Sequence, residues 1–433
     1  MHTFKTAGKY GIKNHQPEFN FCDVISHVHE IQNEIYNEAD KPEIYEKMGI
    51  DVFQDKASFI DKHTISLIQE NKSIFKTTSK YFIIAAGGSP VIPEIEGIDE
   101  ISFHTNETIF SIEELPKKLL ILGAGPVGTE MAQAFVRLGS GVIVVDHNNR
   151  ILQHDDEELA ISLQETLKKE GIKYYFNCDV KKFRNNSGKI EALISRKGNE
   201  KIIEYDSVLI SSGRKPNIDN LNLKAAGVVS TKKGIKIDRN CRTNVSNIFA
   251  VGDCAEAFQF THYAEHMAKK AVSTALLKIP FSIEPDNIVW ATYTEPELAH
   301  AGLTQNQLKE RNIRYNTYKF PFNKIDRALT ESNTEGLIKV YVKEFSGKIY
   351  GADILGAKAG EMISEFALAI KNNISLRKIS DTIHPYPTFL LGNRRAADQW
   401  YIHKQSALFV KLLQKLFGYK GRLPDISNKY KIV

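Results

Sequence analysis

A glycine-rich turn has the residue types and the spacing that bind a dinucleotide. Gly123, Gly125 and Gly128 form the pattern G-x-G-x-x-G between the apolar segment 119–122 and a helical pattern. In such a turn the first glycine permits the bend, the second lets the backbone approach a pyrophosphate, and the third brings helix and strand together. The amide groups and the dipole of the helix N-terminus favour the phosphates. The pattern therefore predicts a site for a nicotinamide dinucleotide.

The carboxylate of Asp146 bears on which nicotinamide dinucleotide is bound. It ends the next apolar segment, about 20 residues after the loop, where it can accept hydrogen bonds from a ribose 2′-hydroxyl. Its charge would repel a 2′-phosphate, so the sequence favours NAD over NADP. The basic neighbours His147 and Arg150 leave NADP open.

The surrounding sequence supplies elements that would position this loop. A strand, a helix, a strand and a charged helix are predicted in that order, and βαβ order is typical of a parallel sheet. These four elements are predicted at 119–122, 127–138, 142–145 and 155–170. Further helices are predicted at 24–48, ending before Gly49, and at 361–371 and 393–401. Further strands are predicted at 51–53, 57–60, 64–67, 81–86, 288–293, 336–342 and 348–355.

Composition indicates an ordinary globular protein of two or three domains. The 433 residues include 57 basic and 52 acidic side chains, and the excess of +5 gathers mostly after Lys404, which does not indicate nucleic-acid binding. The four cysteines fit neither a disulfide scaffold nor a zinc site, so no bound metal is predicted. They are Cys22, Cys178, Cys241 and Cys254. Without an apolar signal segment or a long apolar run, the sequence predicts a cytoplasmic protein.

Several motifs occur in an order that resembles the pyridine nucleotide-disulfide oxidoreductases, above all their mercuric reductase-like members, from about Asn20 to Trp400. The motifs besides the glycine loop are IIAAGGSPVIPEIEGI (83–98), VLISSGRKPNIDNL (208–221), the segment ending in IFAVGD (243–253), FTHYAEHMAKKAV (260–272), TYTEPELAHAGLT (292–304) and HPYPT (384–388). The resemblance implies an α/β fold with Rossmann-like FAD and NAD(P) domains and an α+β dimerisation domain. It also implies a homodimer, with the HPYPT segment reaching across to the other subunit.

The family's domain order can be placed on this sequence. It assigns 1–115 to the first part of the FAD domain, 116–240 to the NAD(P) domain, 241–285 to the second part of the FAD domain and 286–405 to the dimerisation domain. Residues 406–433 are a basic amphipathic tail. Its apolar side chains, Leu408, Phe409, Leu412, Leu413, Leu416 and Phe417, lie on one side of a predicted helix. This helix either packs against the dimerisation domain or the partner subunit, or contacts a membrane surface peripherally.

The resemblance also implies roles for single residues. Asp253 resembles the carboxylate that binds the FAD ribityl hydroxyl, and Gly252 would permit close backbone approach. The helix after His262 would begin over the flavin, and a cap or packing role for His262 itself remains open. Other implied cofactor-binding residues are Gly87, Gly213, Arg214 and Ala264.

Three residues are implied to take part in catalysis. Glu130 resembles the glutamate that lies near the flavin and pairs with a lysine, although it could simply be an acidic residue in a first helical turn. Tyr386 stands where disulfide reductases place their catalytic histidine, and Leu391 where they place the glutamate that orients it. His384 keeps the first position of that motif, where a structural hydrogen bond is the alternative.

The activity implied is that of an FAD-dependent NAD(P)H oxidoreductase, in which hydride passes from nicotinamide to flavin and on to a small-molecule electron acceptor. A phenol cannot shuttle protons near neutral pH as imidazole does, so lipoamide or glutathione reduction by the usual route is not expected. No cysteine pair follows Trp400, which argues against mercury reduction.

The family's first strand, FAD phosphate loop and C-x-x-x-x-C dithiol are not found in these residues, so an incomplete FAD domain is expected, with Met1 aligned just after the cysteine helix. Cys22 is expected to be a small packing residue. Two alternatives to an enzyme follow. The first is a catalytically silent, nicotinamide-binding, dimeric remnant. The second is a protein completed by a separately encoded fragment.

Overall fold

The first elements of the chain are short helices and small sheets. The computed structural model describes residues 2–13, 18–68, 74–186, 189–279, 282–404 and 407–421. The elements before residue 115 are α1 (His2–Lys5), α2 (Phe21–Ile35), α3 (Pro42–Lys47), β1 (Lys56–Asp61), β2 (Thr64–Ile68), β3 (Ile74–Thr78), β4 (Phe82–Ile84) and β5 (Gly88–Pro90). Strands β1, β2 and β3 form an antiparallel sheet in that order.

The prediction of a single helix over 24–48 is wrong, because the helix is interrupted in its middle. α2 ends at Ile35, a π-helical turn covers Tyr36–Asp40, and α3 starts at Pro42. Proline disfavours the helical conformation in the residue before it. Lys41 is accordingly extended, with φ −66° and ψ 129°.

One strand prediction in this region fails, and another is confirmed over a shorter range. Residues 51–53 form no strand, and Phe53 stacks on Phe75 instead, with ring centroids 5.9 Å apart. The strand predicted at 81–86 is confined to β4, because the chain turns at Gly87, which has φ +67°. The apolar side chains of these two segments were therefore not enough to predict which residues pair in a β-ladder.

A parallel sheet forms the middle of the molecule and confirms the predicted βαβ unit. The elements of this part of the chain are β6 (Lys118–Leu122), α4 (Pro126–Leu138), β7 (Gly141–Asp146), α5 (Glu157–Lys169), β8 (Lys173–Phe176), β9 (Asp179–Asn186), β10 (Lys189–Arg196), β11 (Asn199–Tyr205), β12 (Ser207–Ile210) and β13 (Arg214–Pro216). The parallel strand order is β12-β6-β7-β8, and β9, β10 and β11 form an antiparallel sheet beside it. Leu119, Leu120, Ile121 and Leu122 are all buried, as expected for a parallel strand covered on both faces.

The next segment returns to the first part of the chain. Its elements are β14 (Ser230–Thr231), β15 (Gly234–Ile235), β16 (Ile248–Ala250) and α6 (Thr261–Leu277). β16 pairs in parallel with β4, so Ile248 lies opposite Phe82. β13 likewise pairs with β5 in an antiparallel ladder. Residues far apart in sequence are thereby brought to one place.

An antiparallel sheet covered by helices forms the last part of the fold, as the predicted α+β pattern required. Its elements are β17 (Val289–Thr292), β18 (Glu297–Gly302), α7 (Gln305–Glu310), β19 (Asn316–Pro321), α8 (Asp326–Thr330), β20 (Leu337–Val342), β21 (Ile349–Gly356), α9 (Ala359–Lys371), α10 (Leu376–Asp381), α11 (Leu391–Lys404) and α12 (Ala407–Phe417). The strand order is β17-β18-β21-β20-β19. None of the helices in the described ranges has the length and apolar character that crossing a bilayer demands.

Candidate cofactor site

The three glycines of the loop after β6 have different surroundings. A Cβ atom on Gly123 would lie 2.4 Å from the Ser211 carbonyl oxygen, and one on Gly128 would lie 2.0 Å from the Gly123 carbonyl oxygen. Gly123 also has φ +104°, a conformation that favours glycine. A Cβ on Gly125 would meet no atom within 4 Å. Two glycines therefore close the turn, and the third leaves open space in front of the backbone.

Ser211 holds this turn and was missed by the sequence analysis. It directly follows β12, and its backbone amide donates to the Leu122 carbonyl at 2.8 Å. Its hydroxyl lies 2.9 Å from the Leu122 carbonyl oxygen and 3.1 Å from that of Gly123. The signal was available, because a small polar residue at the end of a buried strand must satisfy its hydroxyl locally.

The N-terminus of α4 faces the open side of the loop. The 13-residue helix begins at Pro126, and Gly125 at the cap position provides no side-chain hydrogen bond. Proline is favoured at the first helical position, since its missing amide hydrogen has no intrahelical partner there. The following amides are left for a ligand, and they carry the positive end of the helix dipole. The arrangement suits a pyrophosphate.

Asp146 lies against the glycine loop, whereas Arg150 is buried. The Asp146 carboxylate accepts the backbone amides of Ala124, at 2.6 Å, and Asn148, at 2.7 Å. A carboxylate has further lone pairs with which it can accept a ribose hydroxyl. The Arg150 guanidinium is buried and donates to the carbonyls of Ile151, Leu152, Gln153 and Asp155. It is thus already used inside the protein.

A second turn, here called the Gly252 turn, consists of Gly252–Cys254 and the segments that pack on it. Gly252 has φ +69°, and a Cβ there would lie 3.1 Å from that of Ala264 in α6. The Asp253 carboxylate accepts a hydrogen bond from Arg214, with 3.0 Å between Nε and Oδ2. Its Oδ1 has no hydrogen-bond partner among the described residues. Gly88 supplies the close backbone approach on the other side, because its Cβ would lie 3.0 Å from that of Asp253.

One short segment connects the glycine loop to the Gly252 turn. Ser211 seals the loop, and Arg214 holds Asp253 and also donates to the Gly88 carbonyl. The Cα atoms of Ser211 and Arg214 can be at most about 11 Å apart, because the segment spans three residue steps. Gly213, with φ +136°, and Gly87, with φ +67°, have no atom within 4 Å of an added Cβ and leave space beside this segment.

Aromatic rings anchor the start of α6. His262 and Phe260 stack with centroids 5.4 Å apart, and Phe260 stacks on Trp290 at 6.0 Å with an interplanar angle of 8°. The His262 Nε2 atom lies 2.7 Å from the Val289 carbonyl oxygen. His262 is therefore engaged in packing and a backbone hydrogen bond in this structure, the alternative left open by the sequence.

Trp290 leads into a buried cluster of charged groups that the sequence analysis missed. Its indole N–H donates to Asp155 at 2.8 Å, and its ring lies 4.1 Å from that of His300. Burial is the main cause that raises the pKa of Asp155 to about 6. Lys339 and the Tyr341 hydroxyl both contact Asp156, at 2.6 and 2.9 Å. Charged residues within otherwise apolar strands were the available signal.

His300 lies at the centre of this cluster in surroundings that favour its protonated form. Its Nδ1 lies 2.6 Å from an Asp353 carboxylate oxygen and its Nε2 lies 3.0 Å from the Gly302 carbonyl oxygen, so both nitrogens donate. Burial alone would lower the pKa of His300, but Asp353 and the Gly302 carbonyl outweigh it and raise that pKa. Tyr341 also lies 2.6 Å from Asp353. The cluster joins the segment before α5 to the antiparallel sheet.

Glu130 is a partly buried carboxyl on α4. It accepts the backbone amide of Tyr293 at 2.7 Å, and no basic side chain of the described residues forms an ion pair with it. Burial raises its pKa, while the Tyr293 amide acts in the opposite direction. The structure therefore brings Glu130 to the start of the antiparallel sheet, but shows no lysine partner.

His384 and Tyr386 have opposite environments although they are two residues apart. His384 is buried, with Nε2 2.8 Å from Glu365 and Nδ1 3.0 Å from the Thr382 carbonyl oxygen. Both of its nitrogens are engaged by the protein. Tyr386 is 69% exposed, and its hydroxyl faces Asp326, which raises the pKa of the phenol. Of the two residues, only Tyr386 is exposed at the surface of this chain.

The described cysteines do not form a redox pair. Cys178, Cys241 and Cys254 are buried free thiols, and burial raises the pKa of each, that of Cys241 to about 12. Cys22 is exposed rather than packed in a core, and its thiol donates to the Glu113 carbonyl at 3.3 Å. The position of Cys22 in the first turn of α2, with Asn20 as cap, explains this exposure.

The sequence signatures of known families decide the relationship. That of the pyridine nucleotide-disulphide oxidoreductases matches residues 4–268, and that of their dimerisation domain matches residues 288–393. This chain belongs to the pyridine nucleotide-disulphide oxidoreductases. Among oxidoreductases of this family it is 32% identical to the mercuric reductase of Staphylococcus aureus over 82% of the chain and 64% of that protein. It is 34% identical to the dihydrolipoyl dehydrogenase of Bacillus subtilis over 78% of the chain and 72% of that protein.

Solved structures agree with this family fold. LpdA from Mycobacterium tuberculosis superimposes with a TM-score of 0.84 at 22% identity, covering 92% of this chain and 86% of that one. The flavoprotein disulfide reductase RclA from Escherichia coli, in its Cu(II) complex, superimposes with a TM-score of 0.78 at 22% identity, covering 92% and 87%. At this identity the likeness concerns the fold. The predicted α/β architecture with a dimerisation domain is confirmed.

Proposed function

We propose that this oxidoreductase binds NADH at the glycine loop, passes its hydride to FAD held at the Gly252 turn, and delivers the electrons to a small-molecule acceptor. The observation that carries the proposal is the segment Ser211–Arg214, which contacts the glycine loop at one end and the Gly252 turn at the other. Two ligands bound at these turns would lie side by side. A bound flavin would supply the two-electron acceptor that the protein side chains do not provide.

The residues around the loop would bind and orient the dinucleotide. The space in front of Gly125 and the amides of α4 suit the pyrophosphate, and Asp146 suits a ribose diol. Arg150 donates to four carbonyls and so is not available for a 2′-phosphate, which supports NADH over NADPH. His147 remains exposed beside Asp146, 3.6 Å from its carboxylate.

The residues of the Gly252 turn would hold the flavin side. Asp253 keeps one carboxylate oxygen for a hydroxyl, and Gly87 and Gly213 leave the backbone open to approach. The N-terminus of α6, fixed by Ala264 against Gly252, would direct its amides at the flavin ring.

Glu130 would hold a proton to a higher pH than an ordinary glutamate, because burial raises its pKa. In a homodimer, Tyr386 would face the acceptor.

A second function is favoured by a different observation. The described thiols are buried or solitary, so no dithiol relay is available among them. The alternative is therefore a nicotinamide-binding dimer without catalysis. A protein completed by a separately encoded fragment would likewise bind nicotinamide dinucleotide without catalysis until that fragment is added.

Anaerobic titration of the FAD-saturated protein distinguishes these functions. We expect NADH to bleach the visible flavin absorbance, and NADPH to do so more weakly. Asp253→Asn should weaken FAD retention, whereas Asp219→Asn, at an exposed site on the surface, should not. NADH binding without any loss of flavin absorbance would instead support the silent dimer. Absence of NADH binding would overturn both functions.

A further inference from the structure

Helix α12 turns apolar side chains toward solvent. Leu412, Leu416 and Phe417 are 53%, 68% and 66% exposed, and Tyr419, just after the helix, is 65% exposed. Leu412 and Leu416 are four positions apart and therefore lie on one face. The helices α4 and α9 bury their apolar faces against sheets, as the core residues Phe135 and Phe366 show. An uncovered apolar face of this kind indicates a contact surface.

Positive charge accompanies this face. Lys411 and Lys415 lie on the other side of the helix, Lys420 follows it, and all three are exposed. No acidic residue occurs between 404 and 421. Residues 404–433 hold seven basic side chains and one acidic one, which leaves 50 basic and 51 acidic side chains in the rest of the chain. The positive net charge of the protein is therefore due to this segment.

The residues after α12 extend the same surface. Gly418 has φ +67° and turns the chain back, so that the Tyr419 amide donates to the Gln414 carbonyl at 3.1 Å. The Gln414 side chain donates to the Gly421 carbonyl, also at 3.1 Å. This places the Tyr419 ring 6.1 Å from that of Phe417. Two aromatic rings next to a lysine are typical of side chains that lie at a membrane–water boundary.

We propose that α12 binds the surface of an anionic lipid membrane and lies in its plane. The apolar side chains would enter the acyl boundary, and the lysines would contact the headgroups. With 11 residues, the helix is too short to span a bilayer. A second copy fits less well, because pairing two such apolar faces would leave the six lysines of the two helices without an acidic partner, whereas an anionic surface supplies one. The inference is independent of the proposed redox function.

Flotation of the full-length protein with vesicles tests the proposal. We expect binding to vesicles of phosphatidylglycerol and phosphatidylcholine, weak binding to phosphatidylcholine alone, and release as salt is raised. Removing the charge in Lys411→Gln/Lys415→Gln/Lys420→Gln should weaken binding on the order of fivefold per lysine. The variant Lys232→Gln/Lys233→Gln/Lys236→Gln removes the same charge from three other exposed lysines and should retain binding.

The apolar contribution has its own controls. Leu416→Gln/Phe417→Gln should reduce binding at least tenfold, whereas Ile202→Gln/Leu329→Gln, at sites 51% and 53% exposed, should not. The emission of the tryptophan introduced by Phe417→Trp should shift to shorter wavelength when anionic vesicles are added. The native Trp290 and Trp400 are buried, so their emission should not respond to the vesicles.

Three results would overturn the membrane assignment. One is the absence of vesicle binding. Another is equal loss in the matched control variants. The third is a dimer, detected by sedimentation equilibrium without lipid, that Leu416→Gln/Phe417→Gln dissociates. That last result would assign the face to a second copy of the chain.

Discussion

The glycine loop and the Gly252 turn both rely on glycine and aspartate, but they are assembled in different ways. The loop, its helix and Asp146 come from one βαβ unit within residues 118–146, with Ser211 as the distant contribution. The Gly252 turn combines β4 and β5, β13, β16 and the start of α6. Its aspartate meets an arginine 39 residues away in sequence.

This difference separates a site that local geometry builds from one that depends on the whole fold. The loop needs only a tight strand-to-helix connection, which sequence spacing specifies. The Gly252 turn needs the antiparallel sheet as well, because Trp290 of β17 stacks on Phe260 at the start of α6. We therefore expect changes in the antiparallel sheet to affect the Gly252 turn and to leave the loop unchanged.

The largest effect is expected from removing the buried imidazole of His300. His300→Leu leaves the buried Asp353 carboxylate without its imidazole partner and with only the Tyr341 hydroxyl beside it, so the free energy of unfolding should fall by about 3–5 kcal/mol. Urea unfolding, followed by tryptophan fluorescence, measures this loss. NADH affinity should change little in the folded variant. A large loss of NADH affinity would contradict the proposed independence of the loop.

The pH dependence of this effect has a definite sign. His300 has a raised pKa in the folded protein, so its stabilisation is complete below the unfolded value of about 6.5 and is lost as pH rises through the folded value. The difference between the wild type and His300→Leu should therefore narrow at alkaline pH. The double variant His300→Leu/Asp353→Asn should recover much of the stability, because no unpaired charge remains. A difference that does not depend on pH would show that packing, rather than charge, is responsible.

A change at the closed part of the loop should destabilise the protein itself. Gly128→Val places a Cβ within 2.0 Å of the Gly123 carbonyl oxygen and 2.7 Å of the Ser211 hydroxyl, which the backbone cannot avoid. We expect a loss of about 3 kcal/mol in the free energy of unfolding. Calorimetry checks this. Gly139→Val is not a suitable control, since Gly139 has φ +116°. Gly125→Val, in the same loop, provides the matched comparison.

A change at the open part of the loop should affect the ligand alone. The Cβ of Gly125→Val enters empty space, and φ −72° suits any residue, so the free energy of unfolding should stay within about 0.5 kcal/mol of the wild type. The side chain would occupy the pyrophosphate position, and NADH affinity, measured by calorimetric titration, should fall roughly 100-fold. Unchanged affinity would show that the dinucleotide lies elsewhere.

The smallest effect is expected at the Gly252 turn. Arg214→Met removes the partner of Asp253, but the two side chains are 32% and 18% exposed, so the loss should be about 1 kcal/mol. Lys215→Met, at the exposed neighbouring position, should have no effect. Urea unfolding compares the two. Equal values would mean that the Arg214–Asp253 pair does not stabilise the turn.

Particular residues show how far prediction from sequence extended. The βαβ unit around Gly123 was predicted because hydrophobic period and glycine spacing are local properties. The break at Pro42 was missed although the proline is visible, since the helical period continues across it. Arg150 was considered for a 2′-phosphate, and its four carbonyl partners could not be foreseen from its position in the sequence.

The sequence by itself determined the dinucleotide loop, the order of the family motifs and the α+β pattern of the last part, because each follows from residue types at fixed spacing along the backbone. Tertiary structure alone decided that Arg214 pairs with Asp253, that His300 is buried beside Asp353, and that the apolar face of α12 is turned to solvent. The physical reason is that the charge, burial and availability of a side chain depend on neighbours that the fold brings from distant positions.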